Sequence, residues 1–517
     1  MEILTQFNPE VRLVNAFSLP YDNAVATART CYSSKVVYSE DVNKDESSRQ
    51  KRDIISKSIY LAGHHTTLQH STFQFILERV SRQCIWSFLH SHPFYNSEQV
   101  SQRYVAVSKE NFAVPPLTFS QQKLYIETVH LLMNAYSRLQ GLLQTSVENE
   151  YQSIFPMRNL KEKRWQSVLK KKTQEVARYV LPLATYAHLY HTISGLTLLR
   201  YWRLCQIFDA PTEQKVLVEK MVQAVQLHDP NFFKNAEDPL ALEQTPEYAF
   251  FQHPQNLNSI QFNEEFDHSM QGKTSHLLDY KINAEKVMAQ SVRSMFGLRF
   301  SELGDEQAIA SVMNPAFNSY LSDTLNLTHH AKLTRAMVHP HFTFRKKISH
   351  TADSQDQRHR TVPGSRPVLS RHFSNRADYI TPLLIQKNKI ALEFYEQTFS
   401  QLWKNIEVLM NDGLSLEFAL YLLPNAFPVR FEESGSLLDF HHKWIHRLCY
   451  TAQEEIWKNC LEEVQQVQQI HPFIGKYLAA PCTLRKMAGR KPYCPEGDRF
   501  CGEPVWTKTL DNYHRVI

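Results

Sequence analysis

The hydrophobic and polar positions of the chain follow one pattern that occurs twice. Residues 11–33 read as a short apolar strand, a polar break and an amphipathic helix, and residues 276–297 have the same order. An alternating, half-buried strand is then predicted at 70–75 (HSTFQF) and again at 339–344 (HPHFTF). Because these landmarks recur in the same order, the chain is predicted to contain two divergent copies of one fold in tandem.

Long helices and a shared proline complete each copy. Residues 120–180 and 380–412 place apolar side chains at helical spacing, and similar segments surround Pro182 and Pro424. Each copy therefore predicts an α+β fold, in which an antiparallel sheet packs against long helices. The alternative is a pair of unrelated α+β domains, which would not explain the common order of the landmarks.

The sequence also suggests domain limits. We assign the first copy to residues 1–270 and the second copy to residues 271–475. Residues 228–272 are polar and rich in Pro, Asn, Gln and Glu, which predicts a linker or a surface insertion. Residues 476–517 form a separate tail that is rich in Gly, Pro and basic residues.

Composition narrows the classes of function. The 517 residues carry a formal net charge of +5, which suits an anionic ligand such as a nucleotide but makes nucleic acid an unlikely partner. No apolar run is long enough to predict a membrane span, and the N-terminus does not resemble a signal peptide. The 8 cysteines are scattered along the chain, which is typical of the reducing cytoplasm.

Ordered motifs in both copies then point to a known family. In the first copy, residues 64–107 contain a histidine-rich turn, a strand, a Ser-Arg pair and the sequence Ser-Gln-Arg-Tyr, and NFAVPPL and EVARYVLPLATY follow. In the second copy, residues 347–360 (KISHTADSQDQRHR) end in Arg-His-Arg. As an ordered set, these motifs resemble the flavin-dependent thymidylate synthases over most of both copies.

Each copy lacks part of the family's motif set that the other copy retains. The first copy has His90-Ser91-His92 in place of Arg-His-Arg, but it keeps Ser-Gln-Arg-Tyr (101–104) and Arg178. The second copy keeps Gln355 and the Arg-His-Arg triplet, but it has GSRPVLSR (364–371) in place of Ser-Gln-Arg-Tyr. Two further pairs, counted from the shared prolines, are Leu420 opposite Arg178 and Cys205 opposite Arg447.

The family builds its nucleotide site across a subunit interface, so the resemblance implies one composite site per pair of copies. Arg447 is implied as the catalytic residue that activates the nucleotide. Arginine suits the phosphate because its rigid guanidinium donates two parallel hydrogen bonds. The implied substrate-binding residues are Ser101, Gln102, Arg103 and Arg178 of the first copy and Gln355 and Arg358 of the second copy. The opposite pairing is implied to be inactive or to serve another purpose.

The resemblance also implies a flavin, FAD, as cofactor. Its implied binding residues are Arg358, His359, Arg360, Ser436 and His442. The family's Asn-x-Arg and a later Asn are replaced here, in the second copy by Ser436, Leu438 and His442 and in the first copy by Ser194, Leu196 and Arg200. The sequence leaves open whether flavin binds in the family's manner, binds differently or does not bind.

The implied reaction is the reductive methylation of dUMP at C5 to dTMP, with methylenetetrahydrofolate as carbon donor and NADPH as reductant. Two alternatives stay open: an enzyme of the same scaffold that acts on another pyrimidine nucleotide, and a non-catalytic nucleotide-binding or structural descendant. Because the family assembles as a tetramer of single copies, a homodimer of tandem chains is expected.

The tail offers a second candidate site. Cys482, Cys494 and Cys501 lie in a compact, turn-rich segment. They predict either a structural zinc site, with His471 as the nearest fourth ligand, or an iron–sulfur cluster. The alternative is a set of buried free cysteines that caps the second copy.

Overall fold

The computed structural model describes residues 6–89, 94–206, 209–252, 259–515 and 517. These residues contain two four-stranded antiparallel sheets with strand orders β1-β2-β4-β3 and β5-β6-β8-β7. The strands are β1 (Glu10–Ala16), β2 (Thr72–Ser81), β3 (Tyr95–Gln99), β4 (Tyr186–Ser194), β5 (Ser275–Tyr280), β6 (His341–Ser349), β7 (Gly364–Ser365) and β8 (Pro428–Ser436). The two sheets have the same topology, which confirms the prediction of two α+β copies.

Helices pack on both sheets. In the part of the chain before β5 they are α1 (Pro20–Thr30), α2 (Ser39–Asn43), α3 (Glu46–Leu61), α4 (Arg82–Cys84), α5 (Phe119–Ile154), α6 (Lys163–Ala177), α7 (Gly195–Arg203), α8 (Pro211–His228), α9 (Tyr248–Gln252) and α10 (Ser259–Ser269). After β5 they are α11 (Ala284–Phe296), α12 (Asp305–Met313), α13 (His350–Asp356), α14 (Leu383–Gln386), α15 (Lys389–Asn411), α16 (Leu416–Ala419), α17 (Leu437–Arg447), α18 (Glu454–Ile470), α19 (Pro472–Gly475) and α20 (Pro481–Met487). Among the described residues, every helix is too short or too polar to cross a membrane.

The central strands show why the alternating pattern forms a sheet. In β2, Phe73 and Phe75 point into the core and are fully buried, while the residues between them are half-buried. Phe342 and Phe344 do the same in β6. A register shift also recurs at the equivalent place in each edge strand, between Leu13 and Asn15 in β1 and between Leu277 and Asp279 in β5.

Two compact units combine segments of both copies. The first unit contains the described residues of 1–131, 182–257 and 404–423, and the second contains those of 132–181, 258–403 and 424–517. Residues 132–181 of the first copy thus belong to the second unit, and residues 404–423 of the second copy belong to the first unit. The copies therefore exchange the segments that precede their shared prolines, while the predicted limits at 270 and 475 remain predictions.

A buried glutamate anchors the exchanged segment in the first unit. Glu213 accepts hydrogen bonds from the Ser81 N–H (2.8 Å), the Ser81 hydroxyl and the Tyr421 hydroxyl (2.8 Å). Tyr421 lies in the segment that the second copy contributes. Burial raises the pKa of Glu213 to about 7, although these hydrogen bonds favour the carboxylate.

The second unit repeats this arrangement with the copies reversed. Glu455 accepts hydrogen bonds from the Ser349 N–H (2.6 Å) and from the Tyr179 hydroxyl (2.5 Å), and Tyr179 comes from the first copy. The sequence analysis did not single out this tyrosine. A signal was present, because a tyrosine precedes each shared proline at the same spacing, Tyr179 before Pro182 and Tyr421 before Pro424.

The pKa of Glu213 predicts how stability depends on pH. A folded-state pKa of about 7 lies above the ordinary value of 4.5, so the stabilising contribution is present below pH 4.5 and is lost as pH rises through 7. Between pH 5 and pH 8, wild-type protein should lose about 3 kcal/mol from this group, and Glu213→Gln should not. Urea unfolding of both proteins at the two pH values measures the difference, and equal pH slopes would contradict the assignment.

Candidate functional site

Helix α13 carries the first candidate residues of the second copy. Ser349 precedes its first residue, and the Ser349 side chain accepts a hydrogen bond from the Ala352 N–H and so caps the helix. Gln355 lies near its end, is 9% exposed, and donates from Nε2 to the Gln453 Oε1 at 3.2 Å. The helix ends at Asp356, so that the Arg-His-Arg triplet follows in the turn.

Arg447, the last residue of α17, reaches this turn. Its Nε donates to the His359 Nε2 at 2.9 Å, and its Nη2 donates to the Gln355 carbonyl oxygen at 3.0 Å. The Gln355 carbonyl is uncharged. His359 is also neutral, because burial and the nearby charges of Arg447 and Lys443 hold its pKa well below the ordinary value. The two hydrogen bonds therefore orient the guanidinium without neutralising its charge.

This geometry gives His359 a structural contact that the resemblance did not imply. Its imidazole accepts from Arg447 and is held neutral, so it positions the guanidinium and adds no positive charge of its own. The contact of His359 with a flavin remains a prediction. Arg358 is exposed and Arg360 is half-buried, so these two arginines retain the implied cationic role.

The first copy contributes to the same network through Tyr179. Gln453 donates from Nε2 to the Tyr179 hydroxyl and accepts from Gln355. The preceding residue, Arg178, is 4% exposed, and its carbonyl oxygen accepts from the Asn425 Nδ2 at 3.0 Å. The second unit thus contains both Arg178 and Gln355, and Tyr179, the neighbour of Arg178 in sequence, is linked to Gln355 through Gln453.

The remaining implied phosphate ligands lie in the first unit. Ser101, Gln102 and Arg103 form a turn after β3, in which the Ser101 hydroxyl accepts from the Arg103 N–H at 3.3 Å. The Arg103 guanidinium lies 5.3 Å from the centre of the Tyr104 ring, and Gln102 is buried. The role of these three residues in nucleotide binding remains a prediction.

Two implied flavin positions take part in local structure. Ser436 caps α17, since its hydroxyl donates to Asp439 at 2.6 Å and accepts from the Asp439 N–H, and Leu438 is 3% exposed in the core. His442 is hydrogen-bonded through Nδ1 to Asn326 at 2.8 Å. Burial and the charges of His446 and His329 lower the pKa of His442 to about 4, so it is neutral near pH 7. This part of the site does not fit the flavin contacts that the resemblance implied.

The equivalent positions of the first copy contain no arginine among those described. Cys205 stands opposite Arg447 and is fully buried, and burial raises its pKa to about 11. Ser87 stands opposite Gln355, and its hydroxyl accepts from the Asp209 N–H at 3.0 Å. Leu420 stands opposite Arg178 and is fully buried. His90, Ser91 and His92 lie outside the described residues.

Comparison with known proteins identifies the family to which both copies are similar. The model of the family described as "Thymidylate synthase complementing protein" matches residues 12–231 and again residues 276–473. The chain belongs to this family. Two matches to one family model also confirm the tandem arrangement of two copies.

Curated relatives in this family are each similar to less than half of the chain. A "Flavin-dependent thymidylate synthase" from Clostridium tetani is 26% identical over 228 residues, which cover 44% of this chain and 85% of the relative. One from Sulfurisphaera tokodaii is 26% identical over 220 residues, covering 41% and 79%. One from Geobacter sulfurreducens is 24% identical over 238 residues, covering 45% and 96%.

The tail lies beyond the residues that the family model matches, and the metal prediction for it is not supported. Among the described residues, no three His, Cys, Asp or Glu side chains are arranged to hold a metal ion. Burial raises the pKa of Cys482 to about 12 and that of Cys501 to about 11, and it also raises the pKa of Cys494. Half-buried, protonated free thiols agree with the alternative in which free cysteines cap the second copy.

The end of the tail instead contacts the turn that precedes Gln453. Arg515 donates from Nη1 to the Ala452 carbonyl oxygen at 2.7 Å, and its guanidinium lies 5.6 Å from the centre of the Trp457 ring. The His514 N–H donates to the Tyr450 hydroxyl at 2.9 Å. The tail thus supports the turn from which Gln453 reaches Gln355 and Tyr179, a role that the sequence analysis missed.

Proposed function

We propose that the chain is a flavin-dependent thymidylate synthase-like enzyme that methylates dUMP at C5. In this reaction, dUMP, methylenetetrahydrofolate, NADPH and a proton give dTMP, tetrahydrofolate and NADP⁺. The chain's membership of the family and the names of its relatives support this class of reaction. The observation that carries the proposal is the orientation of Arg447 by two uncharged acceptors.

The chemistry at C5 requires that negative charge develop on the uracil ring. A guanidinium stabilises this charge if it is already positioned and keeps its own charge. Arg447 is positioned by His359 and the Gln355 carbonyl, and a guanidinium stays charged at neutral pH. The mechanism proposed here uses this polarisation to make C5 nucleophilic, without an attacking cysteine or serine.

The nucleotide would be bound by residues of both copies. We propose that Arg178 donates to its phosphate, and the phosphate-binding role that the resemblance implies for Ser101, Gln102 and Arg103 remains a separate prediction. Gln355 and Arg358 would contact the nucleotide beside Arg447. Charge-assisted hydrogen bonds from arginine to phosphate are among the strong ones, so these contacts would dominate affinity.

The fit to flavin is partial. Arg358 and Arg360 are suited to a flavin phosphate, whereas Ser436 and Leu438 take part in capping and in the core. When bound, the flavin would supply the reducing equivalents of NADPH that convert the transferred methylene carbon into the methyl group of dTMP. The engagement of Ser436 and Leu438 favours one alternative function, a nucleotide-binding protein that has lost flavin chemistry. We also propose a homodimer, which light scattering tests.

Incubation of the purified protein with dUMP, methylenetetrahydrofolate, NADPH and FAD tests the proposal. We expect dTMP by mass spectrometry and the absorbance bands of protein-bound flavin after gel filtration. Omission of FAD from protein stripped of flavin is the control and should abolish product. Binding of dUMP without flavin or product would favour the nucleotide-binding alternative, and absence of dUMP binding would contradict both.

A further inference from the structure

A cluster of acidic and basic side chains lies in the core of the second unit, on the helix and strand neighbours of Arg447. Its members are Lys346, Asp356, Glu433, Lys443 and Glu463, and every side chain is fully buried. We call these five residues the ion cluster. The Lys346 Nζ lies 3.0 Å from Asp356, 2.9 Å from Glu433 and 3.0 Å from Glu463. The Lys443 Nζ lies 2.7 Å from Asp356 and 2.5 Å from Glu433.

The first copy has different side chains at the positions that correspond to the ion cluster. Strand pairing places His191 opposite Phe75 and Glu433 opposite Phe344, so His191 is the equivalent of Glu433. The other equivalent positions follow from the same strand register and from the alignment of Ser81 with Ser349 and of Pro182 with Pro424. They are Leu77 for Lys346, Phe88 for Asp356, Tyr201 for Lys443 and Met221 for Glu463.

These five residues of the first copy are buried and make corresponding contacts. The Phe88 and Tyr201 rings lie 4.4 Å apart, where the second copy has the Asp356–Lys443 ion pair. The Tyr201 hydroxyl lies 3.3 Å from the His191 Nε2, where the second copy has Lys443 and Glu433. At these five positions the sheet and its helices therefore pack without an ion pair, so the fold itself does not require the ion cluster.

Buried ions have a large desolvation cost, and apolar replacement of such clusters is often neutral or stabilising. The ion cluster is nevertheless present in the copy that has Arg447 and is replaced by other side chains in the copy that has Cys205. This difference within one chain suggests a role in the site rather than in stability.

The contacts indicate what that role is. Asp356 ends α13, directly after Gln355, and Lys443 lies on α17, one turn before Arg447. The Asp356–Lys443 pair thus joins the helix that carries one acceptor of Arg447 to the helix that carries Arg447 itself. Glu433 on β8 accepts hydrogen bonds from Lys346 and Lys443, and so connects the two helices to the sheet.

We propose that Lys346 and Glu433 are positioning residues for Arg447: through the ion cluster they hold α13 and α17 in the register that orients its guanidinium. This inference rests on the proposed function for its catalytic consequence, whereas its structural consequence can be measured without any substrate.

The test variant is Lys346→Met/Glu433→Gln, which removes one buried cation and one buried anion at nearly constant size. The matched control is Arg345→Met/Glu432→Gln, which removes the neighbouring ion pair on the same two strands, at side chains 29% and 38% exposed. Both proteins are assayed for dUMP methylation and for amide hydrogen exchange in the segment 355–360.

We expect the test variant to remain folded by circular dichroism. Its kcat should fall about tenfold to a hundredfold with the dUMP KM nearly unchanged, because a small displacement of a catalytic group has an effect of this size. Amide exchange at 355–360 should accelerate about tenfold or more, as expected where local opening becomes easier. The control should match wild type in all three measurements.

Three results would overturn the inference. They are a kcat equal to that of the control, unchanged exchange at 355–360, and global unfolding of the test variant, which would make the ion cluster a requirement of the fold. If wild-type protein shows no dUMP turnover, the proposed function fails, but the exchange measurement still decides whether the ion cluster holds the segment.

Discussion

Replacement of Arg447 by alanine is expected to lower kcat by about 10²–10³-fold, the range found when one preorganised donor to a developing anion is removed. The guanidinium that His359 and the Gln355 carbonyl orient would be absent when the uracil ring acquires charge. The affinity for dUMP should fall by about tenfold, because Arg178 and the other proposed phosphate ligands remain. Steady-state kinetics and calorimetric titration with dUMP measure the two effects.

The chain supplies its own control for this experiment. Cys205 occupies the equivalent position of the first copy and is fully buried. Cys205→Ala should leave kcat and the affinity for dUMP within about twofold of wild type, since no charge is removed. Equal losses in Arg447→Ala and Cys205→Ala would show that the effect comes from folding rather than from the nucleotide site.

The second large effect is expected for Arg178→Leu. This change installs the residue that the other copy has at the equivalent position, where Leu420 is accommodated without exposure. We expect dUMP binding to weaken by about 1.5–3 kcal/mol, as for the loss of a charged hydrogen bond, while kcat at saturation changes little. Leu420→Met is the matched control, because it conserves volume at the position that has no arginine. Unchanged affinity in Arg178→Leu would remove Arg178 from the proposed phosphate site.

The sequence predicted the features of the fold that depend on local periodicity. Strand alternation at 70–75 and 339–344 gave β2 and β6, and helical spacing gave α5 and α15. The exchange of segments between the copies was not predicted. Periodicity tells which face of a helix is buried, but it does not tell which other element covers that face.

The chemistry of the site was predicted less completely, because it depends on burial. The role of Arg447 followed from its place in a motif, but the neutral state of His359 depends on desolvation and on the neighbouring charges. Lys346 and Glu433 would ordinarily be assigned to solvent, since Lys and Glu are seldom fully buried. The three tail cysteines suggested a metal site by composition, and their arrangement among the described residues does not support one.

We propose one nucleotide site per chain, formed by the arginines of the second copy together with Arg178 of the first. Calorimetric titration of the purified protein with dUMP counts these sites. We expect one dUMP bound per chain, in wild type and in Cys205→Ala alike. Two dUMP per chain would show that the first copy retains a site of its own, and neither that result nor the absence of binding is compatible with a single composite site.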